Sequence, residues 1–400
     1  MRVAINGAGQ IGRNVIRAAM NKHLDPMRFD GEAVDPNGDH MGYADDVERM
    51  NVDIVAINDL CGAEQLAPLL RYSTNLGHAP YRVQADGDGL RIGHQQVTLT
   101  SERDARQLPW GDLGIDVVVE ATGAFKTSDT LSAHLDAGAK YMLLTRPHGD
   151  ADDSKIYTAV LGVNAFNVPA AGFSLYSNAS CTTNCSAPLI KILNDAYGVS
   201  GGILRTVHAY TNDQKLVDSV HDDARRGYAA GENIVPTTTG ARKAIGQVLP
   251  DLDADITGMA WRVPVATGSA VDMVLTLKDD PSTDELRETL RAGMKGLDGI
   301  VQYTAEPVVS SWIVGNPASS VVDEGYTQRL GKNQVQVVAW YDNEWGYANR
   351  VVDIIATQLS GVGIEPLLRQ EMSRYPAGSR PYLGVAGVSA GSGAGDRRGA

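Results

Sequence analysis

The sequence predicts an α/β fold, with a parallel sheet covered on both faces in its first part and an α+β unit with a mixed or antiparallel sheet after it. Three observations predict this. Apolar runs alternate with helical patterns between residues 2 and 145, as parallel strands joined by crossover helices require. The turn after the first run carries Gly7-x-Gly9-x-x-Gly12. Beyond Cys181 the apolar segments lengthen and alternate with polar residues, the pattern of a sheet with one solvated face.

Taken in order, residues 2–6 (RVAIN) read as a buried strand, and Ile11, Val15, Ile16 and Ala19 recur at helical spacing. Strands follow at 52–58, 116–121 and 140–145, with helices at about 63–71 and 128–138. Residues 24–50 interrupt the alternation with eight acidic residues among prolines and glycines, and read as an acidic surface insertion. In the second part, strands fit 202–210, 255–264, 269–277 and 335–341, and helices fit 182–197, 240–248 and 282–295. A last helix spans roughly 345–360. Residues 376–400 are Gly, Ser, Ala and Pro with few apolar anchors, and are expected to be a disordered tail. The expected division is a dinucleotide-binding domain over 1–180 and 343–362, and a second, catalytic domain over 181–342.

A chain of 400 residues has ample core for a soluble enzyme of more than one domain. Its net charge is −13 and no run of Lys and Arg occurs, so neither nucleic acid nor an acidic membrane is an expected partner. No apolar stretch is long enough to span a bilayer, and the N-terminus lacks the pattern of a signal peptide. The three cysteines, Cys61, Cys181 and Cys185, are too few and odd in number for a disulfide scaffold. They suit a reducing compartment, so a cytoplasmic location is expected. No metal is expected.

The glycine turn sits between a strand and a helix, where a dinucleotide fingerprint belongs. Gly7 permits the tight turn, Gly9 lets the backbone approach a pyrophosphate, and Gly12 lets the helix pack on the strand. Asp59 ends the second strand. A carboxylate there accepts hydrogen bonds from ribose hydroxyls and repels a 2′-phosphate, which favours NAD over NADP; the alternative is a cap on the following helix. Cys181 lies at a strand-to-helix junction, where the partial positive charge of a helix N-terminus is expected to lower a thiol pKa. Such a thiolate adds to an aldehyde to give a thiohemiacetal, whose carbon passes hydride to a nicotinamide and is left as a thioester. Cys61 and Cys185 read as packing residues, with a redox partnership to Cys181 the sharper alternative for Cys185. His208, on a strand, has the chemistry to hold the thiolate and take a proton, but a lone strand histidine is more often structural, and the sequence does not bring it to Cys181.

At these motifs the chain resembles the phosphorylating glyceraldehyde-3-phosphate dehydrogenase family over about residues 1–360. SNASCTTNC is the most specific mark, and INGAGQIGR, TVHAYTNDQK, IVPTTTGARKAIG, TGMAWRVPVATGS and WYDNEWGYANRV accompany it in family order. The resemblance implies a Rossmann-type NAD domain, a catalytic domain, a last helix that returns to the first domain, and a homotetramer. It implies Cys181 as nucleophile and His208 as base. Ser180, Thr182, Thr211, Thr239, Gly240 and Arg262 then fall where the phosphorylated aldehyde and the attacking inorganic phosphate bind. Gly7, Gly9, Gln10, Ile11, Gly12 and Asp59 fall on the cofactor, as do Thr122, Gly123, Thr145, Asn343 and Tyr347. The loop from Thr211 to about Asn233 resembles one that reaches a neighbouring subunit. Departures from the family pattern occur at Gln10, Ser73, Leu76 and Tyr228, which suggests a specialised paralogue. The implied reaction is NAD-dependent oxidative phosphorylation of D-glyceraldehyde 3-phosphate to 1,3-bisphosphoglycerate. The alternatives are a relative that hydrolyses its thioester, such as erythrose-4-phosphate dehydrogenase, and a non-catalytic binding protein.

Overall fold

The computed structural model describes residues 1–21, 52–93, 95–150, 154–165 and 172–360. The acidic segment 24–50 and the tail 376–400 lie outside the described residues. The first unit runs β1 (Arg2–Asn6), α1 (Gln10–Asn21), β2 (Asp53–Asn58), α2 (Ala63–Arg71), β3 (Tyr72–Ser73), β4 (Gly77–His78), β5 (Val83–Asp86), β6 (Gly89–Ile92) and β7 (Gln95–Thr100). It continues through β8 (Val117–Glu120), α3 (Ser128–Leu131), α4 (Ala133–Asp136), β9 (Tyr141–Leu144), β10 (Tyr157–Thr158) and β11 (Leu175–Ser177). Its sheet has the order β10-β11-β9-β8-β1-β2-β7-β6-β5, parallel from β10 to β7 and antiparallel through β6 and β5.

Both faces are covered because β1 is apolar on both. Val3 and Ile5 join the core shared with Val15 and Ile16 of α1, whereas Ala4 faces Ala56, Val118 and Trp110 on the other side. The antiparallel extension β5–β7 was not expected from the sequence; its strands mix apolar residues with Gln, Asp, Arg and Gly. The helix expected over 128–138 divides into α3 and α4 at Ser132, whose Oγ donates to the Ser128 carbonyl at 2.7 Å. It then stops before Gly138, which has φ +103° and lies against Gly111, where a Cβ would meet backbone at 2.5 Å.

The second unit holds α5 (Cys181–Tyr197), β12 (Val199–Ala209), β13 (Val235–Thr237), α6 (Ala241–Val248), β14 (Asp255–Val263) and β15 (Ser269–Leu277). It ends with α7 (Thr283–Gly293), β16 (Val301–Thr304), β17 (Ser320–Gly331) and β18 (Gln334–Tyr341). The sheet order is β13-β14-β12-β15-β18-β17-β16, with β12–β14 and β16–β17 parallel and the rest antiparallel. This is the mixed sheet the alternating segments predict. Leu189, Ile190 and Leu193 of α5 pack with Met273, Leu275 and Val337 in one core. The opposite face keeps Ile203, Val207 and Trp261 exposed.

The chain then returns to its beginning. Helix α8 (Trp345–Asp353), extended by a π-helical turn over Ile354–Leu359, places Ala348, Val351 and Val352 in the core that holds Val15 and Ile16. Just before it, Glu344 accepts a hydrogen bond from Gln10 Nε2 at 2.7 Å.

Candidate active site

Strand β11 runs into α5 through Asn178, Ala179 and Ser180. Ser180 has extended backbone and caps α5, its Oγ accepting from the Thr183 N–H at 3.1 Å. Ala179 is fully buried at φ +50°, a region that favours glycine, so the approach to the helix is held in an uncommon backbone shape. Tyr347 helps to hold it, its hydroxyl donating to the Ala179 carbonyl at 3.3 Å. Cys181 is therefore the first residue of α5, as the sequence suggests.

The neighbouring sheet brings His208 to it. Along β12, Leu204, Thr206 and His208 are buried, and the period of two that sets this alternation also turns His208 toward the Cys181 end of α5. Cys181 Sγ and His208 Nε2 are 3.4 Å apart. His208 Nδ1 lies 2.7 Å from the Ala209 carbonyl and 2.5 Å from Arg262 Nη1. The two contacts compete: donation to the carbonyl puts the ring proton on Nδ1, whereas acceptance from a guanidinium puts it on Nε2. Arg262 reaches the pair because β14 runs parallel to β12 with Arg262 beside His208.

Burial governs the charges here. It pushes the Cys181 thiol up, against opposing pulls from Arg262 and from the Thr182 and Cys181 backbone N–H groups. The net direction corrects the expectation of a lowered thiol pKa: helix-terminal N–H groups do act in the lowering direction, but desolvation outweighs them. His208 is pushed down to about 3, by burial first and by the Arg262 charge second. Both directions favour the uncharged forms, a thiol facing an imidazole. Cys185 is fully buried, its thiol near Ser320 Oγ at 3.5 Å and pushed up to about 12 by burial, as its packing reading requires. Cys61 is half-buried against the first core.

A cavity of about 380 Å³ opens over the pair. Ser180, Thr182, Thr239, Gly240 and Arg262 line it together with Cys181 and His208. Thr182 is held from below, its Oγ1 3.0 Å from the hydroxyl of buried Tyr341, which also meets Thr206 Oγ1 at 2.8 Å. Thr211 is the exception in the expected set. It lies past the end of β12 and outside the cavity lining, with its N–H donating to Gln214 Oε1 at 3.3 Å. Lys126, Arg146 and Lys243 also line the cavity and were not singled out from the sequence. Lys126 and Arg146 follow the C-terminal ends of β8 and β9, where open α/β sheets bind ligands; that position was the available signal.

The expected cofactor residues gather around the glycine turn. Gly7 has φ +95°, and a Cβ on Gly12 would sit 2.0 Å from the Gly7 carbonyl, so turn and helix close tightly. A Cβ on Gly9 meets nothing within 4 Å, which leaves this backbone open to a ligand. Asp59 Oδ2 accepts from the Ala8 N–H at 2.7 Å and Oδ1 from the Cys61 N–H at 3.1 Å. The N-cap of α2 is Gly62, so the alternative reading of Asp59 as a helix cap does not hold. Asn343 Oδ1 accepts from Gly268 N, Ser269 Oγ and Thr267 Oγ1, which leaves its two Nδ2 hydrogens as donors. Thr122 and Thr145 both donate to Glu120, to its carboxylate and its carbonyl respectively, and Gly123 between them is exposed. Buried Glu120 is in turn held by Asn6 and by His134, a support no local motif announces. Gln10 commits its side chain to Glu344 and Arg13, and Ile11 packs on the core, so both bring backbone to the turn. The open Gly9 backbone, the strand-end carboxylate and the oriented amide fit a dinucleotide with a nicotinamide.

Comparison with known proteins agrees with this geometry. The family model for the glyceraldehyde 3-phosphate dehydrogenase NAD binding domain matches residues 41–128, and that for its C-terminal domain matches residues 180–343. The chain is 44% identical over 355 residues to a glyceraldehyde-3-phosphate dehydrogenase of Kitasatospora aureofaciens, covering 88% of this chain and 98% of the relative. It is 44% identical over 359 residues to that of Mycobacterium avium, covering 89% and 98%, and 44% identical over 356 residues to glyceraldehyde-3-phosphate dehydrogenase 2 of Bacillus subtilis, covering 89% and 96%.

Proposed function

Since the chain belongs to the glyceraldehyde-3-phosphate dehydrogenase family and is an NAD-dependent oxidoreductase of that activity, we propose that Cys181 is its nucleophile and His208 its general base. The 3.4 Å approach of Cys181 Sγ to His208 Nε2 carries this reading. With the ring proton on Nδ1 and donated to Ala209 O, the Nε2 lone pair faces the thiol. A substrate phosphate bound by Arg262 gives its N–H groups an anionic acceptor in place of Nδ1, which favours that tautomer. Nε2 takes the thiol proton as sulfur adds to the aldehyde carbon and returns it to the developing oxyanion, forming a thiohemiacetal and freeing Nε2. His208 then receives the hydroxyl proton as hydride leaves. When bound, NAD supplies the hydride acceptor. Ser180, Thr182, Thr239 and Gly240 donate to phosphate oxygens on either side of the thioester, and Thr211 is the further hydroxyl assigned to them from the loop after β12. Inorganic phosphate attacks the thioester carbon, the C–S bond breaks, and the thiol regains its proton.

For the cofactor, Gly7, Gly9, Gln10, Ile11 and Gly12 offer backbone to the pyrophosphate and Asp59 accepts from the ribose. Thr122, Gly123 and Thr145 form the cleft wall, Asn343 holds the carboxamide, and Tyr347 fixes the backbone before Cys181. Among the described residues, 1–180 with 343–360 act as the NAD domain and 181–342 as the catalytic domain. The exposed apolar residues Leu216, Val217, Val220 and Ile234 in and beside the loop after Thr211 support a homotetramer in which that loop meets a neighbour. Three free cysteines support a cytoplasmic location. No described helix is long and apolar enough to cross a membrane.

A coupled NADH assay tests the assignment. The wild type is expected to need inorganic phosphate, and Cys181→Ser to bind NAD normally while losing more than about 10³-fold in turnover. Phosphate-independent release of the free acid would instead identify a hydrolysing relative.

A further inference from the structure

The cavity over Cys181 holds more positive charge than the expected phosphate ligands account for. Arg262 is the one cation among those ligands, yet Lys126, Arg146 and Lys243 line the same space, and no Asp or Glu does so among the described residues. The chain as a whole carries 48 acidic against 35 basic residues, so this concentration runs against its composition. The extra cations come from three separate segments: the stretch after β8, the stretch after β9, and the first turn of α6. They converge on the Thr239-Gly240 turn, where a Cβ on Gly240 would lie 3.7 Å from Pro147, the residue after Arg146. Arg146 Nη1 donates to the Gly123 carbonyl at 3.2 Å, and its Nε is buried with no acceptor among the described residues. Lys126 is exposed at the mouth of the cavity, and Lys243 is held by the Asp150 carbonyl at 2.7 Å.

We propose that Lys126, Arg146 and Lys243 form an anion subsite beside Thr239 and Gly240 that binds the attacking inorganic phosphate and the acyl phosphate it becomes. The proposal rests on the phosphorylating reading above and extends it to residues outside the expected set. Phosphate carries up to two negative charges near neutral pH, and the buried His208 and Thr182 on the cavity floor lower the local dielectric, which strengthens its attraction to cations. Arg146 offers a fork to two oxygens, while the lysines act as point charges from the rim. In the step they serve, a phosphate oxygen forms a bond to the thioester carbon and sulfur leaves as the thiolate. Cations beside that oxygen hold it in reach without touching sulfur.

The test compares wild type, Lys126→Gln, Arg146→Gln, Arg146→Lys and the Lys126→Gln/Arg146→Gln double variant. Two quantities are read: the NADH burst in a single turnover without phosphate, and the KM for inorganic phosphate at steady state. The expected result is a preserved burst with the phosphate KM raised about tenfold in each Gln variant, further in the double, and partly recovered in Arg146→Lys. Lys126 is exposed, so its variant serves even if a change at Arg146 disturbs folding. An unchanged phosphate KM in Lys126→Gln and in a folded double variant overturns the subsite while the phosphorylating reading stands. A wild type that turns over without phosphate overturns that reading first, and the proposed occupant with it.

Discussion

At the Cys181–His208 pair, burial works against charge on both partners, and this gives the free protein a pH signature. The imidazole is pushed down to about 3 from an ordinary 6.5. The unfolded chain therefore takes up a proton below pH 6.5 that the folded chain refuses, and stability falls as the pH drops from there toward the folded value. Between pH 6.5 and about 5 this one site removes about 2 kcal/mol. Urea unfolding of His208→Gln is expected to lose about that much less stability than wild type over the same interval; equal losses would show that His208 protonates freely in the folded state. The thiol, pushed up by burial, acts with the opposite pH sense: the folded state keeps its proton as the pH rises past the ordinary thiol range, and stability falls there. Residues announced by a local pattern were legible at this scale, including Cys181 at the start of α5 and Asp59 at the end of β2. Lys126 and Arg146 were not, because they stand on separate irregular segments with no fixed spacing and meet only once the sheet has assembled. The direction of the thiol shift was also hidden, since desolvation depends on what covers a group.

Among the elements, the turn between β1 and α1 separates two uses of glycine that sequence pattern treats alike. A methyl on Gly12 collides with the Gly7 carbonyl, whereas one on Gly9 points into open space. Gly12→Ala is expected to cost about 1–3 kcal/mol of stability through overpacking and to weaken NAD binding as a result. Gly9→Ala is expected to keep stability within about 0.5 kcal/mol yet raise the NAD dissociation constant roughly tenfold, the loss of about one good contact. Thermal melts and fluorescence titration of both variants check the pair of outcomes; equal melting losses would remove the distinction. The strands read most easily were β8 and β15, where apolar runs or strict alternation follow burial residue by residue. Strand β17 escaped because Asp323, Glu324 and Gly325 interrupt its apolar start, and β13 because three residues with a proline carry almost no period. Their pairing partners, not their own propensities, make them strands.

Across the whole molecule, the second sheet leaves Ile203, Val207 and Trp261 uncovered on one face, and the loop after β12 exposes Leu216, Val217 and Val220 at 85%, 71% and 95%. Apolar surface of this extent is costly in a monomer. A Leu216→Asp/Val220→Asp variant is expected to sediment as a smaller species than the wild type and to bind NAD less tightly; an unchanged sedimentation coefficient would show that the loop meets no neighbour. The contact between Gln10 and Glu344 spans nearly the full described chain, and Asn343, proposed to hold the carboxamide, stands beside it. During synthesis the glycine turn leaves the ribosome early, and Asn343 and Glu344 follow it only after most of the chain has been made. A nascent chain stopped before Asp342 carries the glycine turn without the Glu344 carboxylate that holds Gln10, so this turn is completed by a segment made long after it.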